Sequence, residues 1–202
     1  MSRPDQTPAG YSDADLADVR LMALVSRGDL ASFEALVEKH QALVAGTVGH
    51  MLGNNSEVED IAQQVFVRVW KSASRYVPRA KFTTWLLKIT RNLVFNELRR
   101  RKRHATIPLQ LEADGEEMQI KDERGQTPDA SLLEGELQST IESAIAELPE
   151  TQRMAVVLRR YQELSYEEIA QVLEQSVPAV KSLLFRARTE LRQKLRAYLA
   201  GG

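Results

Sequence analysis

The sequence predicts an all-α protein built as two small helical domains joined by a flexible acidic linker. Three observations carry that prediction. Apolar residues recur at helical spacing, and no apolar/polar alternation of strand type is found along the chain. Twice, a serine stands three residues before a glutamate at the head of an apolar-periodic run (Ser56/Glu59 and Ser165/Glu168), the pairing in which each side chain satisfies a free amide at a helix start. Between the helical parts, residues 105–134 gather Pro108, Gly115, Gly125 and Pro128 with much of the acid and few large apolar groups, a composition that cannot bury enough surface to fold alone.

Element by element, a polar start leads into a helix over Asp13–Arg27, with Leu16, Val19 and Ala23 on one side and Gly28 as its stop. Asp29 then caps a second helix that carries Phe33, Leu36, Val37 and Val44, ended by Gly53-Asn54-Asn55. The capping box at Ser56 starts a third, with Ile61, Val65, Phe66, Val69 and Trp70 inward, and Pro78 marks the break after it. A long helix follows from about Lys81 to Lys102, with Phe82, Leu86, Ile89 and Leu93 on its core face. Beyond the linker, helices are expected up to Leu148-Pro149, over Thr151–Tyr161, over Tyr166–Leu173 and from Val177 to about Leu199. The division is a tail and first helix (1–24), a first domain (25–104), the linker (105–134) and a second domain (135–202).

Composition narrows the function classes. The chain has no cysteine, and His40, His50 and His104 lack ligand spacing, so thiolate and histidine metal sites are not expected and no cofactor is implied. No apolar run approaches the roughly 20 residues of a membrane span, and the start MSRPDQTPAGYSDAD lacks a signal peptide's hydrophobic stretch. A cytoplasmic protein without membrane insertion is the expectation. There is no Walker-type glycine loop, no histidine–carboxylate cluster and no nucleophile motif, so an enzyme is not expected.

Net charge is only −1, yet its distribution is uneven. Residues 88–103 carry seven Lys/Arg against one Glu, 112–136 nine Asp/Glu against two Lys/Arg, and 181–196 six Lys/Arg against one Glu. Two basic patches therefore flank an acidic connector. In the first, RNLVFNELRRRKR, helical phase places Lys88, Asn92, Asn96, Arg99 and Arg103 within an arc of about 80°. Such a stripe is a solvated helix face by default; as a nucleic-acid surface, its asparagines would hydrogen-bond base edges or phosphates and its arginines would neutralise phosphates.

The second patch lies in LSYEEIAQVLEQSVPAVKSLLFRARTELRQKL, which has the layout of a helix-turn-helix. Ile169, Val172 and Leu173 supply the inner face of the first helix, and Glu174-Gln175-Ser176 is the short turn. Ser176 caps the second helix and Pro178 is tolerated in its first turn. With Val180, Leu184, Ala187, Leu191 and Leu195 inward, Lys181, Ser182, Phe185, Arg186, Arg188 and Arg192 are left exposed. A helix whose first turns offer polar and basic side chains suits the major groove of duplex DNA, although a plain helical hairpin shares the layout.

Three segments together, EDIAQQVFVRVWKSASRY, KFTTWLLKITRNLVFNELRRRKR and ELPETQRMAVVLRRYQELSYEEIAQVLEQSVPAVKSLLFRARTELRQKL, resemble a bacterial sigma factor of the extracytoplasmic-function group. The resemblance covers nearly the whole chain after about residue 25, with 25–104 matching sigma region 2 and 135–202 sigma region 4. It implies binding to core RNA polymerase (β and β′ subunits), with Asp60, Gln63 and Arg68 as candidates on the segment that docks on the β′ clamp helices. It assigns the minus-ten promoter element, as its strands separate, to Tyr76, Arg79, Lys81, Lys88, Asn92, Asn96, Arg99, Arg100 and Arg103. Phe82 and Trp85 are core residues on this reading, and Phe66 and Trp70 largely so. Ser176, Lys181, Ser182, Phe185, Arg186 and Arg188 fall to the minus-thirty-five duplex. The turn departs from the family's pattern at Glu174, where glycine is common, and Ala179 and Leu183 stand where Thr and Arg are frequent, which leaves promoter sequence open. The resemblance also implies an anti-sigma protein as a further partner. The alternative, a stand-alone helix-turn-helix regulator, would need a sensor or dimerisation domain where the basic helix stands.

Overall fold

Ser12 starts the first helix by a reciprocal cap: its hydroxyl accepts from the backbone N–H of Asp15 at 3.2 Å, and the Asp15 carboxylate accepts from the backbone N–H of Ser12 at 2.9 Å. The structure is a computed structural model that describes residues 11–53, 57–106 and 131–199. Eight α-helices and one 3-10 turn are found there, with no strand among the described residues. They are α1 (Asp13–Val25), α2 (Leu30–Leu52), α3 (Glu57–Ser72), α4 (Phe82–Thr106), α5 (Ser131–Ala146), α6 (Glu150–Arg160), α7 (Tyr166–Leu173) and α8 (Val177–Leu199). The expected capping box at Ser56 and most of the expected linker lie outside the described residues.

Helices α1 to α4 form one bundle, with α2 packed on α1, α3 and α4. Its core holds Met22, Leu36, Val44, Val48, Met51, Val65, Val69, Phe82, Leu86 and Val94, all fully buried. Each such side chain contributes on the order of 1.5–3 kcal/mol when removed from water.

Three expectations need correction. In α1 the buried face carries Asp18, Met22 and Val25, whereas Leu16 and Val19 are half-buried and Ala23 is exposed. A carboxylate sits on that face because it has partners there: Asp18 accepts from Lys39 Nζ at 2.5 Å and lies 3.0 Å from His40 Nε2. Helix α4 does not have one core face with a polar back, since Thr84, Leu87, Thr90 and Arg91 are buried beside Phe82, Leu86 and Leu93. Elements of both halves of the chain cover it. Trp70, expected inward, is 38% exposed and meets Phe33 edge-on at 5.1 Å.

In the second half, α6, α7 and α8 make a three-helix unit with α5 laid along α8. Ser165 and Glu168 form the expected capping box at 3.1 and 2.9 Å. Arg159 Nη1 donates to the carbonyl of Leu164 at 2.8 Å and its guanidinium lies over the Tyr166 ring, which fixes the turn between α6 and α7. Helix α7 ends on Glu174 in the left-handed region (φ 56°, ψ 43°), and Gln175 N–H closes the end on Ala170 O at 2.9 Å. A side chain costs on the order of 1–2 kcal/mol in that conformation, which is why glycine favours it.

The boundaries expected for the linker also move, because α4 runs on to Thr106 and α5 begins at Ser131. The two halves are not held apart. Helix α7 packs on α4, α6 and α5 pack on α2, and the buried apolar residues of α1–α4 and α6–α8 make one continuous cluster.

Candidate functional site: three surfaces and a polar seam

On α3, a spacing of three and four residues brings Asp60, Gln63, Gln64 and Arg68 onto one outer strip, and all four are exposed. Two apolar side chains that the sequence reading did not assign to this face lie there too: Val67 is 44% and Trp70 38% exposed. The run VFVRVW hid them, since Val65, Phe66 and Val69 beside them are buried. A polar strip with an apolar centre is the usual composition of a protein-binding surface.

The stripe on α4 divides in two. At its N-terminal end, Lys81 pairs with Glu168 at 3.0 Å, and Lys88 pairs with Glu174. Lys81 is held above its usual range chiefly by Glu168. Bonds from Lys88 and Arg91 hold the Glu174 carboxyl down at about 2. Asn92 is exposed, but its Oδ1 accepts from Arg91 Nε and Nη2 at 3.0 and 2.5 Å. Further along, Asn96, Arg99 and Arg103 are exposed and border a shallow hollow of about 430 Å³ with Lys102. Arg100 is exposed yet engaged, bonding Glu97 at 2.7 Å and Glu57 at 2.8 Å. Arg101 bonds Glu57, Glu97 and the Leu52 carbonyl, so it braces α4 against α2 and α3.

Tyr76 and Arg79 stand in the segment that precedes α4. Arg79 is exposed. Tyr76 packs against Trp85 and Phe82 with ring centroids 5.0 and 6.2 Å apart, and burial raises the pKa of its hydroxyl. It is wedged into the bundle together with Phe82, which is fully buried, and Trp85, which is half-buried.

The helix-turn-helix keeps its outer face open. Ser176 Oγ accepts from Ala179 N–H at 3.4 Å at the head of α8, and Val180, Leu184 and Ala187 are buried beneath it. Lys181, Ser182, Arg186 and Arg188 are exposed, and Phe185 is 69% exposed. Ser182 Oγ donates to the Pro178 carbonyl at 3.0 Å, within the helix.

Arg91 is the residue of the basic run that its charge concealed. Its phase falls about 60° outside the stripe, and its side chain is 9% exposed. Its Nη1 donates to the Val172 carbonyl at 2.7 Å and its Nη2 to Glu174 at 2.8 Å. A second patch of the same seam has Lys102 on Glu150 at 2.6 Å, Arg153 Nη1 on the Met51 carbonyl at 2.9 Å, and the His50 ring stacked on Tyr161 at 3.6 Å. Burial lowers the pKa of both His50 and Arg153 there.

Known proteins match these same parts. The Sigma-70 region 2 family matches residues 36–104 and the Sigma-70 region 4 family residues 138–191. The chain is 32% identical to the RNA polymerase sigma-H factor of Pseudomonas aeruginosa, over 90% of this chain and 95% of that one. It is 34% identical to the ECF RNA polymerase sigma factor SigW of Bacillus subtilis, over 85% and 93%. In fold it is similar to CnrH, solved with the cytosolic domain of CnrY (TM-score 0.65, 24% identity, 90% of this chain and 98% of that one). A similar likeness holds for RpoE of Bartonella quintana, solved with the anti-sigma factor NepR (TM-score 0.63, 20% identity, 83% and 98%). Among the described residues, no helix is long and apolar enough to cross a membrane. The chain belongs to the extracytoplasmic-function sigma factors, subunits that bring RNA polymerase to promoters and direct the start of transcription.

Proposed function

We propose a division of labour among the three surfaces. The outer strip of α3, with Asp60, Gln63 and Arg68 around Val67, docks on core polymerase. Helix α4 and the segment before it hold the melted minus-ten strand: Asn92 and Asn96 face bases, while Arg79, Lys81, Lys88, Arg99, Arg100 and Arg103 meet phosphates. Tyr76, wedged between Phe82 and Trp85, supports this surface from beneath. The head of α8 enters the major groove of the minus-thirty-five duplex, with Ser176, Lys181, Ser182, Phe185 and Arg186 towards the bases and Arg188 towards the backbone.

The observation that carries this reading is the pairing in one chain of an exposed Asn/Arg row on α4 with an open, basic helix-turn-helix face on α8. We further propose that the chain acts in the cytoplasm and leaves phosphodiester chemistry to the polymerase. An anti-sigma protein is its proposed negative regulator, a reading supported by the fold relative that was solved with one. Transcription in vitro with core polymerase on genomic fragments tests the whole: start sites that share upstream elements are the expected result, and absence of specific initiation overturns it. Tight binding of promoter duplex without polymerase would instead favour a self-sufficient regulator.

A further inference from the structure

A cavity of about 520 Å³ lies where the C-terminal part of α2 meets α5 and α6, a volume in the range of small-molecule sites. Its α2 wall is bare. Gly46 and Gly49 both line it and, three residues apart, share one face of the helix. Glycine weakens a helix interior, and the space that Gly46 leaves is taken by no neighbour, since a Cβ there would meet nothing within 4 Å. Ile145, Ala146 and the stacked rings of His50 and Tyr161 add apolar and flat surfaces to the lining.

The charges of this cavity are unevenly matched. Arg153 and Tyr161 line it, and Arg153 Nε and the Tyr161 hydroxyl are buried with no hydrogen-bond partner among the described residues. The two Nη atoms of Arg153 donate to main-chain carbonyls, Met51 at 2.9 Å and Leu148 at 3.2 Å. No ion pair is found for Arg153 among the described residues, and Glu150, whose field reaches it, is bonded to Lys102 at 2.6 Å. A guanidinium stays charged when buried, and a buried charge without a counterion is costly. His50 adds no second cation near neutral pH, because burial lowers its pKa. The acid of the lining, Glu142, is exposed and accepts from Gln138 at 2.7 Å.

We propose that this cavity binds a small aromatic carboxylate, whose carboxylate accepts from Arg153 Nε and the Tyr161 hydroxyl while its ring system lies over Gly46 and Gly49. An anion suits the site better than a neutral polar group because it supplies the counterion that Arg153 lacks, and charge-assisted hydrogen bonds are the stronger ones. A flat ring suits it better than a branched chain, because bare helix backbone and stacked rings offer planar surfaces on which an aromatic group buries a large area. None of the residues assigned to polymerase or promoter lines the cavity, so the site is separate from the three surfaces described above.

The test uses the full chain with 2-naphthoate as the probe and 2-naphthamide as its uncharged match, each followed by titration calorimetry. Saturable one-to-one binding of naphthoate is expected, about tenfold tighter than that of the amide. Gly46→Leu fills the open space with a better helix former, so it should weaken naphthoate binding by about tenfold or more while melting at or above the parent's temperature. Tyr161→Phe removes a hydroxyl that has no partner among the described residues, so its melting temperature should match the parent's while naphthoate affinity falls roughly three- to tenfold. No saturable binding by the parent, or binding that survives Gly46→Leu, would overturn the site. A Gly46→Leu chain that melts well below the parent would mean that the space is not open, and would count against the site as well. Equal affinity for naphthoate and naphthamide would overturn the role given to Arg153, and an unchanged affinity in Tyr161→Phe the role given to its hydroxyl.

Discussion

Arg91 Nη1 donates to the main-chain carbonyl of Val172 at 2.7 Å, a bond between residues 81 positions apart that ties α4 to the end of α7. Truncating a buried, forked donor leaves its partners unsatisfied, so Arg91→Ala should cost about 1–3 kcal/mol. Arg91→Lys should recover only part of this, because an ammonium lacks the fork that reaches Val172 and Glu174 together. Chemical denaturation followed by two probes, one in each half, checks this. The parent should unfold in one transition and Arg91→Ala in two, the signature of halves that no longer stabilise each other.

The cluster of Asp18, His40 and Lys39 gives a prediction about acid. Burial alone would raise the Asp18 pKa, but bonds from His40 and Lys39 outweigh it and hold the carboxyl below its usual range. The unfolded chain thus binds this proton more tightly than the folded one. The stabilisation is complete above the unfolded value of about 4 and is lost as pH falls through the lower folded value. Asp18→Asn should therefore cost about 1–3 kcal/mol near neutral pH, and the gap to the parent should close under acid. Unfolding midpoints measured from pH 7 downward test this; a gap that persists after protonation would contradict it.

Among the arginines of α4, Arg99 and Arg103 are more available to phosphate than Arg100, which is committed to Glu97 and Glu57. Arg99→Ala and Arg103→Ala should each shorten open-complex lifetime on every promoter and reduce the slope of log affinity against log salt by about one. Arg100→Ala should do less. Lys181→Ala and Arg186→Ala should act mainly on promoters that depend on the upstream element, so equal losses on templates with and without it would count against the split between α4 and α8.

The apolar centre of the α3 strip should dominate polymerase binding. Val67→Asp alters a side chain that is 44% exposed, and substitutions at such positions usually change stability by less than about 0.5 kcal/mol. Its effect on affinity for core polymerase should be tenfold or greater, because a charge is placed at the desolvated centre of a contact. Binding assays with purified core enzyme decide this, with thermal melting as the control.

How far the sequence carried differs from element to element, and the cause is the range of the forces involved. Helices α7 and α8 are readable to the residue because their ends are set locally, by Ser165 with Glu168 and by Ser176 with Pro178. The exposed face of α8 followed from phase alone, since one side of that helix meets solvent. The face of α1 was misread because Asp18 is buried by partners on α2, more than twenty positions away. Helix α4 was misread for the same reason on a larger scale: α2 and α3 cover one side and α7 another, leaving only a strip for water. The closure of the two halves was not legible at all. It depends on an apolar cluster shared by both halves and on bonds such as those of Arg91 to Val172 and Glu174, and spacing along the chain carries no trace of contacts so far apart in sequence.

The sign pattern of the seam also bears on what the chain does between encounters with its enzyme. A subunit diffusing through a cell meets RNA and chromosomal DNA far more often than unoccupied polymerase, and a bare row of lysines and arginines adheres to any polyanion at low salt. Lys81, Lys88, Arg91 and Lys102 are matched by acids of the same chain, whose net charge is −1, so the bare part of the row is narrowed to residues such as Arg99 and Arg103. Glu174, Glu168 and Glu150 thereby serve as built-in counterions, a local neutralisation that the chain carries within its own fold.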